Sequence, residues 1–309
     1  MDVTQSTVLG ERRHLTNLTY RLLGSLTEAE DAVQETYARW YGLSEQRRAA
    51  VENPGAWLTT VAGRICLDQL GSARVRRERY VGEWIPEPLP DRAHATGAAG
   101  DGDPADRITL DESVSMAFLV VLESMTPAER VAFVLHDVFR YAFAEIAEIL
   151  GRTPAACRQL ASSGRGRIRA ARTATTGPDR QAVLVGDFKR AWQAKDIAAL
   201  VALLDPDATM AADGGGVVAA ARHPVVGGEE IARYLALFAR KATGLVLRER
   251  TVNGTPGLVA EVDGVPATVA AFDCADGRVT RIWAVRNPEK LGAWARQAQN
   301  GLPGSDPAG

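Results

Sequence analysis

The sequence predicts a multidomain chain of three parts: two all-α units followed by an α+β domain with a curved antiparallel sheet. Three observations carry this expectation. Residues from about 6 to 80 and from about 109 to 173 repeat their apolar side chains at helical spacing with sparse turn signals. Between them, "PEPLPDRAHATGAAGDGDPADR" (86–107) is a Pro/Gly/Ala stretch with too little apolar surface to fold alone. After a break at "TATTGPD", three dipeptides (Asn253-Gly254, Asp263-Gly264 and Asp276-Gly277) separate four β-type runs, and such pairs suit the positive-φ positions of two-residue hairpin turns.

A length of 309 residues allows two or three domains, each with its own core. No apolar run approaches the length of a membrane span, and "MDVTQSTVLGERRHL" lacks the apolar stretch of a secretory signal. The formal net charge is −2, so a nucleic-acid surface must come from local clustering. Cys66, Cys157 and Cys274 are far apart, as are His14, His94, His136 and His223, and neither set has metal-ligand spacing. The chain therefore reads as cytoplasmic and reduced, with no cofactor, structural metal or membrane partner.

In the first helical unit, "SLTEAEDAVQETYARWYG" (25–42) carries an expected capping box, Thr27 with Glu30, and crowds acids into its first turns. "NPGAWLTTVAGRICLDQLGSARVRRERY" (53–80) opens a helix at Asn53-Pro54, carries Arg64, and ends on Arg74, Arg76, Arg77 and Arg79. "RERYVGEWIPEPLPD" (77–91) then sets Tyr80, Val81, Trp84 and Ile85 before Pro86, Pro88 and Pro90, which forces an extended path. From Pro86 the segment reads as an acidic tether, in which Glu87, Asp91, Asp101, Asp103 and Asp106 outnumber Arg92 and Arg107. Trp84 and Ile85 do not suit a solvated tether; they need a dry contact.

The most informative stretch is "FAEIAEILGRTPAACRQLASSGRGRIRAAR" (143–172). Ile146, Ile149 and Leu150 make one apolar face, Gly151 ends that helix, and Thr153 with Pro154 starts the next. Cys157 and Leu160 fall inward, while Arg158, Gln159 and Ser162 point elsewhere. Arg152, Arg158, Arg165, Arg167, Arg169 and Arg172 have no acid between them. Helix, tight turn, capped helix and basic extension is the order that lays a helix in the major groove, and Arg and Gln read purine edges. An ordinary helical hairpin with a solvated arginine face is the competing reading; cap, turn and one-signed charge together favour DNA.

The third part supplies helical runs "RQAVLVGDFKRAWQAKD", "IAALVALLD" and "GEEIARYLALFARKA" before the four β-type runs, and "NGLPGSDPAG" ends it as a frayed tail.

"YRLLGSLTEAEDAVQETYARWY", "NPGAWLTTVAGRICLDQL" and "TPAERVAFVLHDVFRYAFAEIAEILGRTPAACRQLASSGRGRIR" resemble regions 2 and 4 of an extracytoplasmic-function sigma factor, in order and at the family spacing. "YVGEWIPEPL", "DGGG" (213–216) and "NPEKL" (287–291) resemble the recurring strings of the subgroup that carries a C-terminal, cone-shaped SnoaL-like domain. The resemblance implies region 2 over 1–80, a linker over 81–108, region 4 over 109–173, the SnoaL-like domain over 179–297 and a tail over 298–309. It implies core RNA polymerase as partner, through the β′ clamp helices and the β flap, with Asp31, Gln34, Glu35 and Trp40 on the clamp helices. It places Trp57, Arg64 and Asp68 on the −10 element of promoter DNA, and Arg152, Arg158, Gln159, Ser162, Arg165 and Arg167 on the −35 element; Arg74, Arg76 and Arg77, in the basic cluster that ends the helix opened at Asn53-Pro54, are expected to contact DNA as well. "SSGRGR" departs from the more usual Ser-Arg-Ala-Arg, and Gly164 and Gly166 are expected to loosen the helix there. The C-terminal domain is expected to regulate in cis, by contacts among Tyr80, Trp84, Ile85, Asp213, Gly214, Gly215, Gly216, Asn287 and Pro288.

Two other functions fit parts of the sequence. One is a ligand-responsive helix-turn-helix regulator that binds an operator without polymerase. The other is an enzyme with a DNA-binding appendage, using Asp213, His223 and Trp283 in a cone-fold pocket. Two basic helices on either side of a long acidic tether favour the sigma factor, which is not an enzyme.

Overall fold

A computed structural model of the chain describes residues 8, 10–77, 80–90, 114–171, 176–241 and 244–300, leaving aside the side chains of 73–77, 241 and 299–300. The tether from Asp91 onward and all of the expected tail after residue 300 lie outside the described residues. The chain divides into two units: the first holds the described residues up to 77 together with 118–171, and the second holds 80–90, 114–117 and 176–300.

In the first unit, α1 (Arg12–Leu23), α2 (Leu26–Tyr41), α3 (Glu45–Ala49) and α4 (Pro54–Arg77) precede α5 (Met116–Glu123), which crosses between the units. Gly24 ends α1 at φ 71, and Ser25 caps α2 by accepting from the Glu28 N–H at 3.4 Å. The cap is thus two residues earlier than the Thr27–Glu30 box expected, because Ser25 is already extended and leaves Thr27 within the first turn. Asn53 caps α4, its Oδ1 accepting from Ala56 N–H at 3.0 Å. The apolar faces meet in a core of Val8, Leu15, Val33, Trp40, Leu58 and Ala62.

The second half of this unit begins with α6 (Pro127–Phe133), closed by a Thr126–Glu129 capping box and prolonged by a π-helical turn, Val134–Val138. Then come α7 (Phe143–Leu150) and α8 (Pro154–Ala171). Between them Gly151 takes φ 61 and Thr153 Oγ1 accepts from Ala156 N–H at 3.2 Å, the turn and cap expected from sequence. Helix α8 runs unbroken through Gly164 and Gly166, contrary to the loosening expected. Gly164 is buried, and a Cβ there would lie 2.8 Å from Phe133 Cβ, so its missing side chain lets α8 close on α6.

The two halves pack on each other. A Cβ on Gly63 of α4 would lie 2.9 Å from Ile149 Cγ2 of α7. Arg130 Nη1 donates to Leu22 O at 3.0 Å, and Tyr141 Oη meets His14 Nε2 at 2.9 Å and Thr59 Oγ1 at 3.0 Å.

The second unit contains α9 (Pro178–Ala194), α10 (Ile197–Leu203), β1 (Leu204–Asp213), β2 (Val225–Val226), α11 (Gly228–Lys241), β3 (Leu245–Val252), β4 (Thr255–Val262), β5 (Val265–Ala275) and β6 (Arg278–Val285). A 3₁₀ turn, Pro288–Leu291, leads into α12 (Gly292–Asn300). The six strands order as β2-β1-β6-β5-β4-β3. The three expected hairpins are present, with φ of 51–52° at Asn253, Asp263 and Asp276 and 75–78° at the glycine after each. The sheet is mixed, not wholly antiparallel, because β1 enters beside β6 in parallel. The helical run expected over "IAALVALLD" reaches only the first two residues of β1, and the rest carries no strand expectation, since its Ala and Met positions give little β signal.

Strand alternation gives the sheet two buried faces. Met210, Ala212, Leu258, Ala260, Ala270, Phe272, Ile282 and Ala284 face α9 and α11. Val259, Val269, Ala271, Trp283 and Val285, of opposite parity, are also buried, and α12 and the 3₁₀ turn lie against β5.

Candidate functional site

The segment 80–90 does not hang free; it is an extended strap bound along the C-terminal domain. Pro86, Pro88 and Pro90 supply no N–H, which leaves few donors to satisfy when the strap is buried. Ile85 and Leu89 are buried at 2% and 1% exposure, and each such side chain contributes about 1.5–3 kcal/mol of apolar burial. Glu87 is buried too, so it is not one of a set of solvated tether acids.

Two anchors hold the strap. At the first, Asp213, 0% exposed, closes β1 with its carboxylate beneath the strap. Its Oδ1 accepts from Tyr80 Oη at 2.6 Å and Gly215 N–H at 3.0 Å; its Oδ2 accepts from Ile85 N–H at 3.1 Å and Lys290 Nζ at 2.7 Å. Lys290, 8% exposed, also donates to Ile85 O at 2.6 Å and sits 4.1 Å from the centre of the Trp84 ring. The buried charges are therefore paired, and the cation is further stabilised by an aromatic face. Asn287 Nδ2 donates to Tyr80 Oη at 3.1 Å. Burial first, then the Asp213 carboxylate, pushes the Tyr80 phenol well above its usual range, which keeps it a donor.

The glycine string makes this anchor possible. Gly215 has φ 66, and a Cβ there would lie 2.5 Å from Asn287 Cγ; a Cβ on Gly214 would lie 2.1 Å from Val218 O. Gly216, at φ 74, faces Val81 of the strap. Pro288 starts the 3₁₀ turn that carries Lys290 and is itself exposed.

At the second anchor, Asn253 is 1% exposed. Its Oδ1 accepts from Leu89 N–H and its own N–H donates to Leu89 O, both at 2.9 Å, while Nδ2 donates to Val114 O at 2.8 Å. Pro90 bridges Val252, and Trp294 Nε1 donates to Pro88 O at 2.9 Å. Sequence reasoning sets Trp84 against Asp213 to Gly216 or Asn287 to Leu291, a range that contains Lys290 without giving it a role, and it misses Asn253 and Trp294. The signal for Lys290 was the "NPEKL" string; Asn253 was spent on the turn reading alone.

None of Asp213, His223 and Trp283 lines the pocket of the C-terminal domain. Asp213 and Trp283 lie on the parity opposite to the cavity-lining Ala212, Ile282 and Ala284, and His223 is exposed. Asp213 is instead committed to Lys290 and the strap. All three cysteines are free and buried; burial raises each thiol, that of Cys274 to about 12, which leaves them unreactive. Among the described residues no cluster of three or more His, Cys, Asp or Glu forms a metal site, and no helix is long and apolar enough to cross a membrane.

In the first unit, Asp31, Gln34 and Glu35 are exposed on α2, and Glu35 pairs with Arg39 at 2.8 Å. Trp40 is not on that surface. At 3% exposure it packs in the core with its ring centre 5.1 Å from that of Trp57, because its position falls on the helix's inward face. Trp57 is half-buried; Arg64 and Asp68 are exposed on α4. Arg64 Nη2 donates to Glu148 O of α7 at 2.8 Å. The side chains of Arg74, Arg76 and Arg77 lie outside the described residues.

On the helix-turn-helix, Arg152, Arg158, Gln159, Ser162 and Arg167 are exposed. Arg158 lies 5.3 Å over the Phe143 ring, which orients it. The arginines are not all free counter-charges: Arg165 pairs with Asp137 at 3.0 Å, and Arg167 stands 3.7 Å from Glu129. Those acids come from α6 and its π-helical continuation, so a scan of α8 alone could not find them.

Residues 8–76 match the Sigma-70 region 2 family model and residues 115–168 match the model for Sigma-70, region 4. The ECF RNA polymerase sigma factor SigJ of Mycobacterium tuberculosis is 39% identical over 304 residues, which cover 94% of this chain and 93% of that protein. A probable ECF RNA polymerase sigma factor of the same species, SigI, is 34% identical, over 91% of this chain and 92% of its own length. The crystal structure of Mycobacterium tuberculosis SigJ covers 93% of this chain and 98% of that one, at 35% identity and a TM-score of 0.73. With both sigma regions matched and the clasped C-terminal domain included in the aligned length, the chain belongs to the extracytoplasmic-function (ECF) RNA polymerase sigma factors, in the SigJ-like subgroup.

Proposed function

We propose that this sigma factor reads its promoters through α4 and α8 and that its C-terminal domain controls it in cis by holding the strap. The observation that carries the regulatory reading is the double anchorage of residues 80–90, at Asp213–Lys290 and at Asn253–Trp294. That segment joins the two sigma regions in sequence, so a domain that grips it constrains the chain between two DNA-reading modules. Exposed Arg158, Gln159 and Ser162 form the −35 face, with Arg152 and Arg167 at the backbone. Trp57, Arg64 and Asp68 face the −10 element. Asp31, Gln34 and Glu35 form the face for the β′ clamp helices, with Trp40 as their support from within, and the region-4 half meets the β flap. The work of such a factor is cytoplasmic and non-enzymatic.

The contact between α4 and α7 supports a further part of this reading. Arg64 is engaged by Glu148 O, and Gly63 is covered by Ile149, so occupation of two separated promoter elements requires these helices to part. The free chain is accordingly a closed form.

Run-off transcription with purified bacterial core polymerase tests the whole reading. Wild type directs initiation from a cognate promoter, Arg158→Ala weakens −35 recognition by about 1–3 kcal/mol, and variants that open the clasp change the yield without changing the start site. Operator footprints without polymerase, or clasp variants that transcribe as wild type does, would refute it.

A further inference from the structure

The face of the sheet turned toward α9 and α11 lines a pocket of about 50 Å³. Its floor is a run of small side chains: Ala212, Ala284 and Ala270 stand on one rung of the sheet, and Ala260 pairs with Thr268 on the next. Phe188, Trp192 and Phe238 form much of the roof. A single water needs about 10–15 Å³ on this measure, so the space accommodates a short chain of several heavy atoms.

Almost everything that lines the cavity is apolar, and the exceptions gather at one end. Val269 pairs with Val285, so Arg286, one residue beyond, stands level with Thr268 in the antiparallel register. Both line the cavity. Thr268 is 8% exposed, and among the described residues its Oγ1 has no hydrogen-bond partner; the buried Arg286 Nε has none there either. The rest of the Arg286 guanidinium is held in place: Nη1 donates to Ala219 O, and the group lies 4.8 Å from the centre of the Phe238 ring. Two buried donors without acceptors among the described residues, at the polar end of an apolar pocket, are costly unless an acceptor occupies the space between them.

From this geometry we infer that the C-terminal domain binds a short apolar monocarboxylate, its chain over the alanine floor and its carboxylate on Arg286 Nε and Thr268 Oγ1. An anion suits the site better than a neutral acceptor, because burial lowers the Arg286 pKa and a bound carboxylate restores the balance of charge. An amine does not suit it at all. The site also touches the strap's anchor: Arg286 N–H donates to Asp213 O at 2.7 Å, so the residue that reads the ligand is joined by one backbone bond to the residue that holds Lys290.

Isothermal titration of the full chain with pentanoate, 1-pentanol and pentylamine tests the assignment. Saturable binding is expected for pentanoate, at least about tenfold weaker binding for pentanol, and none for pentylamine. Thr268→Val, which keeps the shape and removes the hydroxyl, and Arg286→Gln each weaken pentanoate by about tenfold or more. Ala270→Leu fills the floor and removes binding while circular dichroism stays that of wild type. The assignment is overturned if no saturable pentanoate binding occurs, if pentanol binds as well, or if Thr268→Val leaves the affinity unchanged.

Discussion

Replacing Lys290 by Met removes the only cation on the buried Asp213 carboxylate among the described contacts while keeping most of the side chain's volume. Loss of one partner of a buried ion pair costs about 3–5 kcal/mol, since the other charge stays behind. Here Asp213 retains Tyr80 Oη, Ile85 N–H and Gly215 N–H, so the low end, about 3 kcal/mol, is expected. Local opening reports this directly, because Ile85 N–H donates to Asp213 Oδ2 and Leu89 N–H to Asn253 Oδ1. Amide exchange at Ile85 should accelerate by about a hundredfold in Lys290→Met, at 1.4 kcal/mol per decade. Leu89, held by the second anchor, shows whether the whole strap lifts or only its first half. The double variant Asp213→Asn, Lys290→Met buries no charge and should recover a large part of the loss. Exchange at Ile85 within threefold of wild type, or a double variant as open as the single one, would show that the pair does not hold the strap.

Three more outcomes follow from the same contacts. Asn253→Gly suits the positive φ of the hairpin turn yet removes the side-chain bonds to Leu89 of the strap and to Val114, so it should cost about 1–3 kcal/mol in unfolding measurements, whereas Asp263→Gly should be near neutral. Gly164→Ala should destabilise the first unit by about 1–3 kcal/mol despite alanine's better helix propensity, since the new methyl meets Phe133 Cβ at 2.8 Å; a raised melting temperature would refute the close approach. The Tyr80 pKa is raised by folding, so the phenol's contribution is complete below its unfolded value of about 10 and is lost as pH rises beyond that toward the folded value. Strap amide exchange should therefore gain an added pH dependence above about 10 in wild type that Tyr80→Phe lacks.

What was legible in the sequence was local chemistry. Gly151, Thr153 and Pro154 announce a turn and a capped helix because conformation and capping are decided within a few residues, and the Asn-Gly and Asp-Gly pairs fix three hairpins for the same reason. Asp213 and Trp84 could be linked from recurring strings, but the cation between them could not be derived: nothing local sets Lys290 apart until the 3₁₀ turn brings it under the strap. Strand β1 escaped notice because Ala208, Ala211 and Ala212 are strand residues by virtue of their neighbours, not their propensity. Trp40 illustrates the limit of carrying a role by motif, since helix phase, set by the whole bundle, turns it inward. The salt bridges of Arg165 and Arg167 and the contact of Gly63 with Ile149 are long-range, and no spacing rule reports them.

The alternation of proline along the strap has a consequence for what happens after release. A lifted segment offers backbone donors only at Ile85, Glu87 and Leu89, all on one edge of an extended chain, so it can pair along one side but can neither sit between two strands nor wind into a helix. The conformations that could trap it are thereby reduced to pairing along that one edge. Opening and reclosing should trace the same path in both directions, without hysteresis, since neither a helix nor a sheet interior competes for the segment.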